Sequence, residues 1–286
     1  MSTTSSSAFR TGVVSSDDGT SIGYRQVGNG PGVVLLHGGM QASQNLMRLA
    51  TALSDGFSVY VPDRRGRGMS GPFGNDHGIT REVEDLHALL RETGARNVFG
   101  LSAGAVIALQ AALTLAEITR LALYEPPLSF DGVSSTSWVP RYERELGKGR
   151  PASAFVTIMK GTGDSTGVRL APRFLLVPLM SLALRADQKT RRPGVVPIGD
   201  LIPTMRYDGR TVMDSEGALE RFGAVHCEVL LLGGANSAKY LKAALDGLSA
   251  VLPNARRVTL PGVGHLAADN TGKPELVAAQ LHAFFA

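Results

Sequence analysis

The stretch Asn97-Val98-Phe99-Gly100-Leu101-Ser102-Ala103-Gly104-Ala105-Val106 decides the architecture of this 286-residue chain. Asn97 to Leu101 reads as a short buried strand, and Ala103 to Leu115 as the helix that follows it. Ser102 stands at the joint with a glycine two residues to either side. A sharp turn there pushes the serine hydroxyl out of the sheet, and the glycines let the backbones of strand and helix approach closely. A helix beginning at Ala103 also aims backbone N–H groups and its positive dipole end at the same point, where a developing oxyanion is favoured. The competing explanation is a Gly-rich joint with an incidental serine; the strand-to-helix context argues against it.

The pattern on either side of this joint repeats it. Thr11 to Val14 and Ser21 to Gln26 read as strands joined by the turn signal Asp17-Asp18-Gly19. Gly32 to Leu36 is an apolar strand entering His37-Gly38-Gly39, and Ser43 to Leu53 has helical spacing. Phe57 to Pro62 is a strand, Asp63 to Gly74 a Gly-rich loop, and Ile79 to Thr93 an amphipathic helix with Val83, Leu86, Leu89 and Leu90 on one face. Arg120 to Tyr124 is the next strand. Such alternation predicts a mostly parallel sheet covered on both faces. From Leu128 to Val225 the sequence offers helical segments, Pro and Gly breaks and no convincing strand. Alternation then returns, with strands at Glu228 to Leu232 and Ala255 to Leu260 and helices at Ala238 to Leu252 and Lys273 to Phe285. The expected organisation is a disordered lead-in (1–10), an α/β core in two parts (11–127 and 226–286), and a helical insertion of roughly 100 residues (128–225) between them.

Composition narrows the function classes. Hydrophobic residues make up 43% of the chain, enough for a large core. The formal net charge of +4 is scattered, without the clustered basic face that nucleic-acid binding requires. Cys227 is the only cysteine, so neither an intramolecular disulfide nor a cysteine-ligated zinc site is available. Phe174 to Leu184, the longest strongly apolar run, is interrupted by Pro178 and is too short to span a bilayer. Met1 to Arg10 is rich in Ser and Thr and has no apolar secretory stretch, so a cytoplasmic location is expected.

Two further segments converge on Ser102. His265 lies in Leu260-Pro261-Gly262-Val263-Gly264-His265, directly after a strand, where a flexible loop can carry an imidazole over the end of the sheet. A neutral imidazole there can take the serine proton and return it to a leaving group. His77, His87, His226 and His282 fall in a loop, a helix, a strand approach and the terminal helix, contexts that suggest no such role. Gly39 ends the His37-Gly38-Gly39 turn, and its N–H, with that of Ala103, is placed to form an oxyanion hole.

Together these pieces resemble the α/β-hydrolase family over nearly the whole chain outside the insertion. Asp63-Arg64-Arg65-Gly66-Arg67-Gly68-Met69-Ser70-Gly71 adds to the resemblance, being similar to the D-x-R-G-x-G-x-S loop of many members, and is expected to brace neighbouring loops. The resemblance implies an eight-stranded, mostly parallel sheet with the active site at the carboxyl ends of its strands, and the insertion as a helical cap. Members usually carry the triad acid after the strand matched here by Glu228 to Leu232. This chain reads Gly233-Gly234-Ala235-Asn236-Ser237 at that place, with no carboxylate. A minority of members carry the acid after the preceding strand, where this chain has Tyr124-Glu125-Pro126-Pro127. Glu125 is therefore the expected acid, in the chain order Ser102, Glu125, His265; Asp131 is a weaker substitute, and a bare Ser–His dyad is a further alternative.

The expected function is hydrolysis of an ester or lactone of a small, largely apolar substrate through an acyl-enzyme on Ser102, with no cofactor and no metal. A nucleophilic serine argues against dehalogenase and epoxide-hydrolase chemistry, for which the family uses aspartate at this point. Thioester, amide or C–C bond hydrolysis and cofactor-free perhydrolysis fit the same constellation, and a non-enzymatic small-molecule receptor is the alternative of another class. Within the insertion, Phe174 to Leu184 is expected to pack against the core, and Trp138, the sole tryptophan, is a candidate for lining the pocket.

Overall fold

The computed structural model describes residues 9–129, 136–163, 166–217 and 219–286. Asp131 and the first eight residues lie outside them. The strands are β1 (Arg10–Ser15), β2 (Ser21–Val27), β3 (Gly32–Leu36), β4 (Ser58–Pro62), β5 (Asn97–Leu101), β6 (Arg120–Tyr124), β7 (Glu228–Gly234) and β8 (Ala255–Leu260). They form one eight-stranded sheet in the order β1-β2-β4-β3-β5-β6-β7-β8. β2 runs antiparallel to both of its neighbours, and every pair from β4 to β8 is parallel. β1 begins at Arg10, inside the stretch expected to be a lead-in.

Side chains of the central strands alternate between two cores, as the pleat of a doubly covered sheet requires. Val34, Leu36, Val98, Leu121, Leu123 and Val229 enter one, together with Leu86 and Leu89 of α2 (Ile79–Thr93), Ile107 of α3 (Ala103–Ala111) and Leu245 of α10 (Lys239–Val251). Val33, Leu35, Phe99, Ala122, Tyr124 and Leu230 enter the other, against Leu49 of α1 (Met47–Leu53) and Leu281 of α11 (Pro274–Phe285). β5 and α3 are buried along nearly their whole length, so the joint between them is fixed from every side.

Between β6 and β7 the described residues contain helices and no strand: α4 (Val139–Gly147), α5 (Pro151–Thr162), α6 (Thr166–Leu170), α7 (Arg173–Lys189), α8 (Ile198–Leu201) and α9 (Met205–Met213). They have a small core of their own around Tyr142, Ala154, Ile158, Leu184 and Ile202. α7 departs from expectation in two ways. It continues through Pro178, which forfeits one backbone hydrogen bond without ending the helix. It also turns most of its apolar residues outward: Phe174, Leu175, Leu179 and Leu182 are 74%, 58%, 56% and 66% exposed, and only Leu176 and Leu184 are buried. The composition of this run promised packing, but among the described residues nothing covers the outer face of α7. Among the described residues no helix is long and apolar enough to cross a membrane.

Candidate active site

Ser102 occupies the turn from β5 to α3 with φ 54° and ψ −120°, a conformation that costs a non-glycine residue about 1–3 kcal/mol. Its surroundings hold it there. The Ser102 N–H donates to the Tyr124 carbonyl at 2.9 Å, and the Ser102 carbonyl accepts from Ala105 and Val106 as the helix begins. The glycines of the motif have a steric cause. A Cβ on Gly104 would lie 2.5 Å from the His37 carbonyl oxygen, and one on Gly100 would lie 2.5 Å from the Gly104 carbonyl oxygen. Both distances are prohibitive, because the obstructing atoms are backbone.

His265 and Glu125 complete a continuous relay with this serine. His265 Nε2 lies 3.0 Å from Ser102 Oγ, and its Nδ1 lies 2.8 Å from Glu125 Oε2. Glu125 is fully buried, His265 nearly so, and Ser102 is half-buried at the edge of a cavity. The other Glu125 oxygen accepts the Gly234 N–H at 2.6 Å, which orients the carboxylate toward the imidazole. The loop carrying His265 is tied to the same strand end, because the Tyr124 hydroxyl donates to the Gly264 carbonyl at 2.8 Å. A carboxylate bonded to Nδ1 keeps the proton on that nitrogen and leaves Nε2 as an acceptor facing the serine hydroxyl.

The third element is the turn after β3. Gly38 N–H donates to Gln41 Oε1 at 2.8 Å and Met40 N–H to Asp208 Oδ2 at 3.1 Å, whereas the N–H groups of Gly39 and Ala103 donate to nothing among the described residues. Both Gly39 and Ala103 border the small recess of about 40 Å³ next to Ser102. His37 is buried beneath this turn. Its Nε2 accepts the Arg64 N–H, so its Nδ1 donates to the Gly38 carbonyl, and burial, reinforced by Arg67 and Arg64, pushes its pKa well below the ordinary histidine value. It is a neutral structural imidazole.

Non-glycine residues with positive φ among the described residues are Met40, Ser102 and Glu125. All three border this one site, one on each of its converging strand ends. Strain gathered in this way is characteristic of a functional centre held by the surrounding fold.

A cavity of about 390 Å³ opens from Ser102 and His265 under the helical insertion. Its walls include Met40, Leu101, Phe155, Ile158, Met159, Val168, Ile198 and Met205. No Lys or Arg is among its described lining residues. The one carboxylate there, Asp269, is saturated by Gln41 Nε2, Asn45 Nδ2 and both the N–H and hydroxyl of Thr271. Trp138, the candidate for lining the pocket, borders the smaller recess and is not among the lining residues of the cavity of about 390 Å³. A larger concavity of about 810 Å³ between α5 and α7 contains none of Ser102, His265 and Glu125. Among the described residues no group of three or more His, Cys, Asp or Glu is arranged to hold a metal ion.

The expected loop from Asp63 to Gly71 braces its surroundings. Asp63 accepts the N–H groups of Ser43 and Met69, Arg65 pairs with Asp85 and Asp18, and Arg64 pairs with Glu82 and Asp208. Sequence reasoning missed Asp208, Asp269 and Gln41. Gln41 lies two residues after the His37-Gly38-Gly39 motif and Asp269 four residues beyond His265, so proximity to motifs was a usable signal for those two. Asp208 lies in a helix with no motif near it.

A family model described as the alpha/beta hydrolase family matches residues 33–280. An alpha/beta hydrolase of Sphaerobacter thermophilus shares 31% sequence identity, with 96% of this chain and 100% of that chain covered and a TM-score of 0.77. A pimeloyl-[acyl-carrier protein] methyl ester esterase of Xanthomonas campestris is 25% identical over 263 residues, 91% of this chain and 97% of its own length. The enol-lactonase of Burkholderia xenovorans has the same fold at 20% identity and a TM-score of 0.67, with 96% of this chain and 99% of that one covered. The chain belongs to the alpha/beta hydrolase family.

Proposed function

We propose that this chain is a serine hydrolase that cleaves carboxylic esters or lactones of neutral, largely apolar substrates through an acyl-enzyme on Ser102. The observation that carries the reading is the unbroken Ser102–His265–Glu125 relay at the mouth of an apolar cavity. Ser102 Oγ attacks the ester carbonyl while His265 Nε2 takes its proton. The carbonyl oxygen, now negatively charged, is met by the N–H groups of Gly39 and Ala103. Collapse of the tetrahedral adduct expels the alkoxide, which leaves as an alcohol with the proton from His265, and the acyl group stays on Ser102. Water then attacks, with His265 again as base, and releases the acid. Glu125 holds the imidazole in the productive tautomer and stabilises the imidazolium that forms at each step.

The lining of the cavity supports the substrate class. With no cationic side chain among its described lining residues and with the one carboxylate there saturated, the described wall offers an anionic substrate group no compensation for lost hydration. The helical insertion supplies Phe155, Ile158 and Met159 to its wall and acts as the cap that selects the acyl or alkyl chain. A methyl ester esterase among the relatives fits this reading. A receptor role drew its support from the missing carboxylate after β7, and Glu125 removes that ground. The test is a panel of neutral esters and lactones beside analogues bearing a terminal carboxylate. Turnover of neutral members that disappears in Ser102→Ala is the expected result; turnover surviving that substitution, or preference for the anionic analogues, overturns it.

A further inference from the structure

The turn that presents Gly39 is held on both sides by carboxylates belonging to other parts of the chain. On one side, Asp269, from the loop after His265, binds Gln41 Nε2 at 2.8 Å, and Gln41 Oε1 accepts the Gly38 N–H at 2.8 Å. On the other, Asp208 of α9 accepts the Met40 N–H at 3.1 Å. Gly39 lies between two amides that are both anchored, and its own N–H remains for a ligand. Met40 adopts φ 52°, a left-handed conformation that a side-chain-bearing residue keeps only under external constraint. The Asp208 bond supplies that constraint at the residue itself.

Asp208 is itself held rigidly. Arg67 Nη2 reaches both of its oxygens at 2.8 Å, and Arg64 Nη1 reaches Oδ1 at 2.9 Å while pairing with Glu82 through its other nitrogens. All four groups are almost completely buried. Arg67 Nε and Nη1 have no partner among the described residues, so this guanidinium depends on Asp208 for its pairing. α9 also approaches the turn sterically: a Cβ on Gly39 would lie 3.0 Å from Met205 Sδ and 3.2 Å from Asp208 Oδ2. Met205 borders the substrate cavity as well. One helix of the insertion therefore touches the ligand space with Met205 and the turn after β3 with Asp208.

We propose that Asp208 is a positioning residue of the oxyanion hole, fixing the direction of the Gly39 N–H through Met40 and tying the hole to the helical insertion. The proposal rests on the reading of Gly39 and Ala103 as the oxyanion donors. A donor displaced by a fraction of an ångström forfeits stabilisation that exists only in the tetrahedral state, and so lowers kcat and leaves ground-state binding in place.

Two variants separate positioning from stability. Asp208→Asn keeps the shape but offers one acceptor for which Arg64, Arg67 and Met40 compete. The double variant Asp208→Leu with Arg67→Met removes the acceptor together with the charge it neutralises, leaving Arg64 paired with Glu82. For each, kcat and KM on a neutral ester, affinity for an alkyl trifluoromethyl ketone (which forms a tetrahedral oxyanion adduct on serine) and amide hydrogen exchange of the peptide spanning 38–41 are measured. The expected result is a fall in kcat of about 10- to 100-fold, a matching loss of ketone affinity, KM within about threefold, and faster exchange at 38–41. Folded variants with wild-type kcat, ketone affinity and exchange overturn the proposal, as does a rise in KM alone. If the wild-type protein neither cleaves esters nor binds the ketone, the esterase reading has failed. Exchange at 38–41 then still decides whether Asp208 holds the turn.

Discussion

Glu125 Oε1 accepts the backbone N–H of Gly234 at 2.6 Å, so the carboxylate at the end of β6 is oriented by the end of β7. The end of β7, next to the turn where the family resemblance would place the acid, supplies a hydrogen-bond donor here. On the proposed reading Glu125 is the acid, placed one strand before the usual position and directed at His265 Nδ1. Substitution of Glu125 by glutamine tests what this arrangement does. A glutamine that keeps its oxygen on Gly234 turns its NH₂ toward His265 Nδ1, which must then give up its proton to Nε2, the atom that has to accept from Ser102. The expected loss in kcat is about 10²- to 10⁴-fold with little change in KM. Wild-type kcat in folded Glu125→Gln protein would show that the carboxylate only braces the loop.

Gly104→Ala is expected to destabilise the fold by about 1–3 kcal/mol or more, because its Cβ would press on backbone at Leu36 and His37, which cannot rotate away. Gly147→Ala, at the end of α4 with open space around its Cβ, is the control and should be neutral to stabilising by up to about 1 kcal/mol. Urea unfolding of the two side by side checks this; equal midpoints would contradict the close approach of α3 to the end of β3.

The buried ion cluster makes stability depend on acid pH. Burial opposes ionisation of Glu82 and Asp208, but Arg64 outweighs it at the first, and Arg67 with Arg64 outweighs it at the second, so both carboxyls are held below the ordinary range. Folded protein therefore binds fewer protons than unfolded protein as pH falls through about 4. The stability they contribute is complete above about pH 4.5 and drains away as pH drops toward their folded values. Melting temperatures from pH 7 to pH 3 should fall steeply below about 4.5 in the wild type, and less steeply from a lower starting point in Glu82→Gln. Parallel curves would mean that the cluster contributes nothing to the acid limb.

The exposed face of α7 is expected to be indifferent to polarity. Leu179→Gln and Leu182→Gln should each shift stability by no more than about 0.5 kcal/mol, whereas Leu184→Ala, inside the core of the insertion, should cost roughly 2–5 kcal/mol. Comparable losses at all three positions would show that the outer face is packed.

Much of this molecule is legible in its sequence. β3, α2, β5, β6 and β8 run between the expected residues because each is bounded by sharp local signals: Gly ends, a switch of hydrophobic period, a helix closed by Gly94 in a left-handed conformation. Ser102, His265 and Gly39 could be found because glycine spacing records where backbones must come close. Glu125 was pointed to by the family resemblance, which in a minority of members puts the acid after this strand, and it lies 2.8 Å from His265 Nδ1. What escaped was the part decided by long-range packing. Asp208 meets Met40 across 168 positions of sequence, and nothing local distinguishes it from a solvent-facing acid on a short helix. Phe174 to Leu184 buries only Leu176 and Leu184 for the converse reason: composition records how apolar a helix is, and leaves open whether a neighbour exists to cover it.

The most direct test of the central claim is intact-mass analysis after incubation with a fluorophosphonate, followed by mapping of the labelled peptide. On the proposed reading, with His265 as base and Gly39 and Ala103 as oxyanion donors, Ser102 should acquire a single adduct, and Ser102→Ala should acquire none. Folded wild-type protein that stays unlabelled, or carries its label on another residue, would contradict the account.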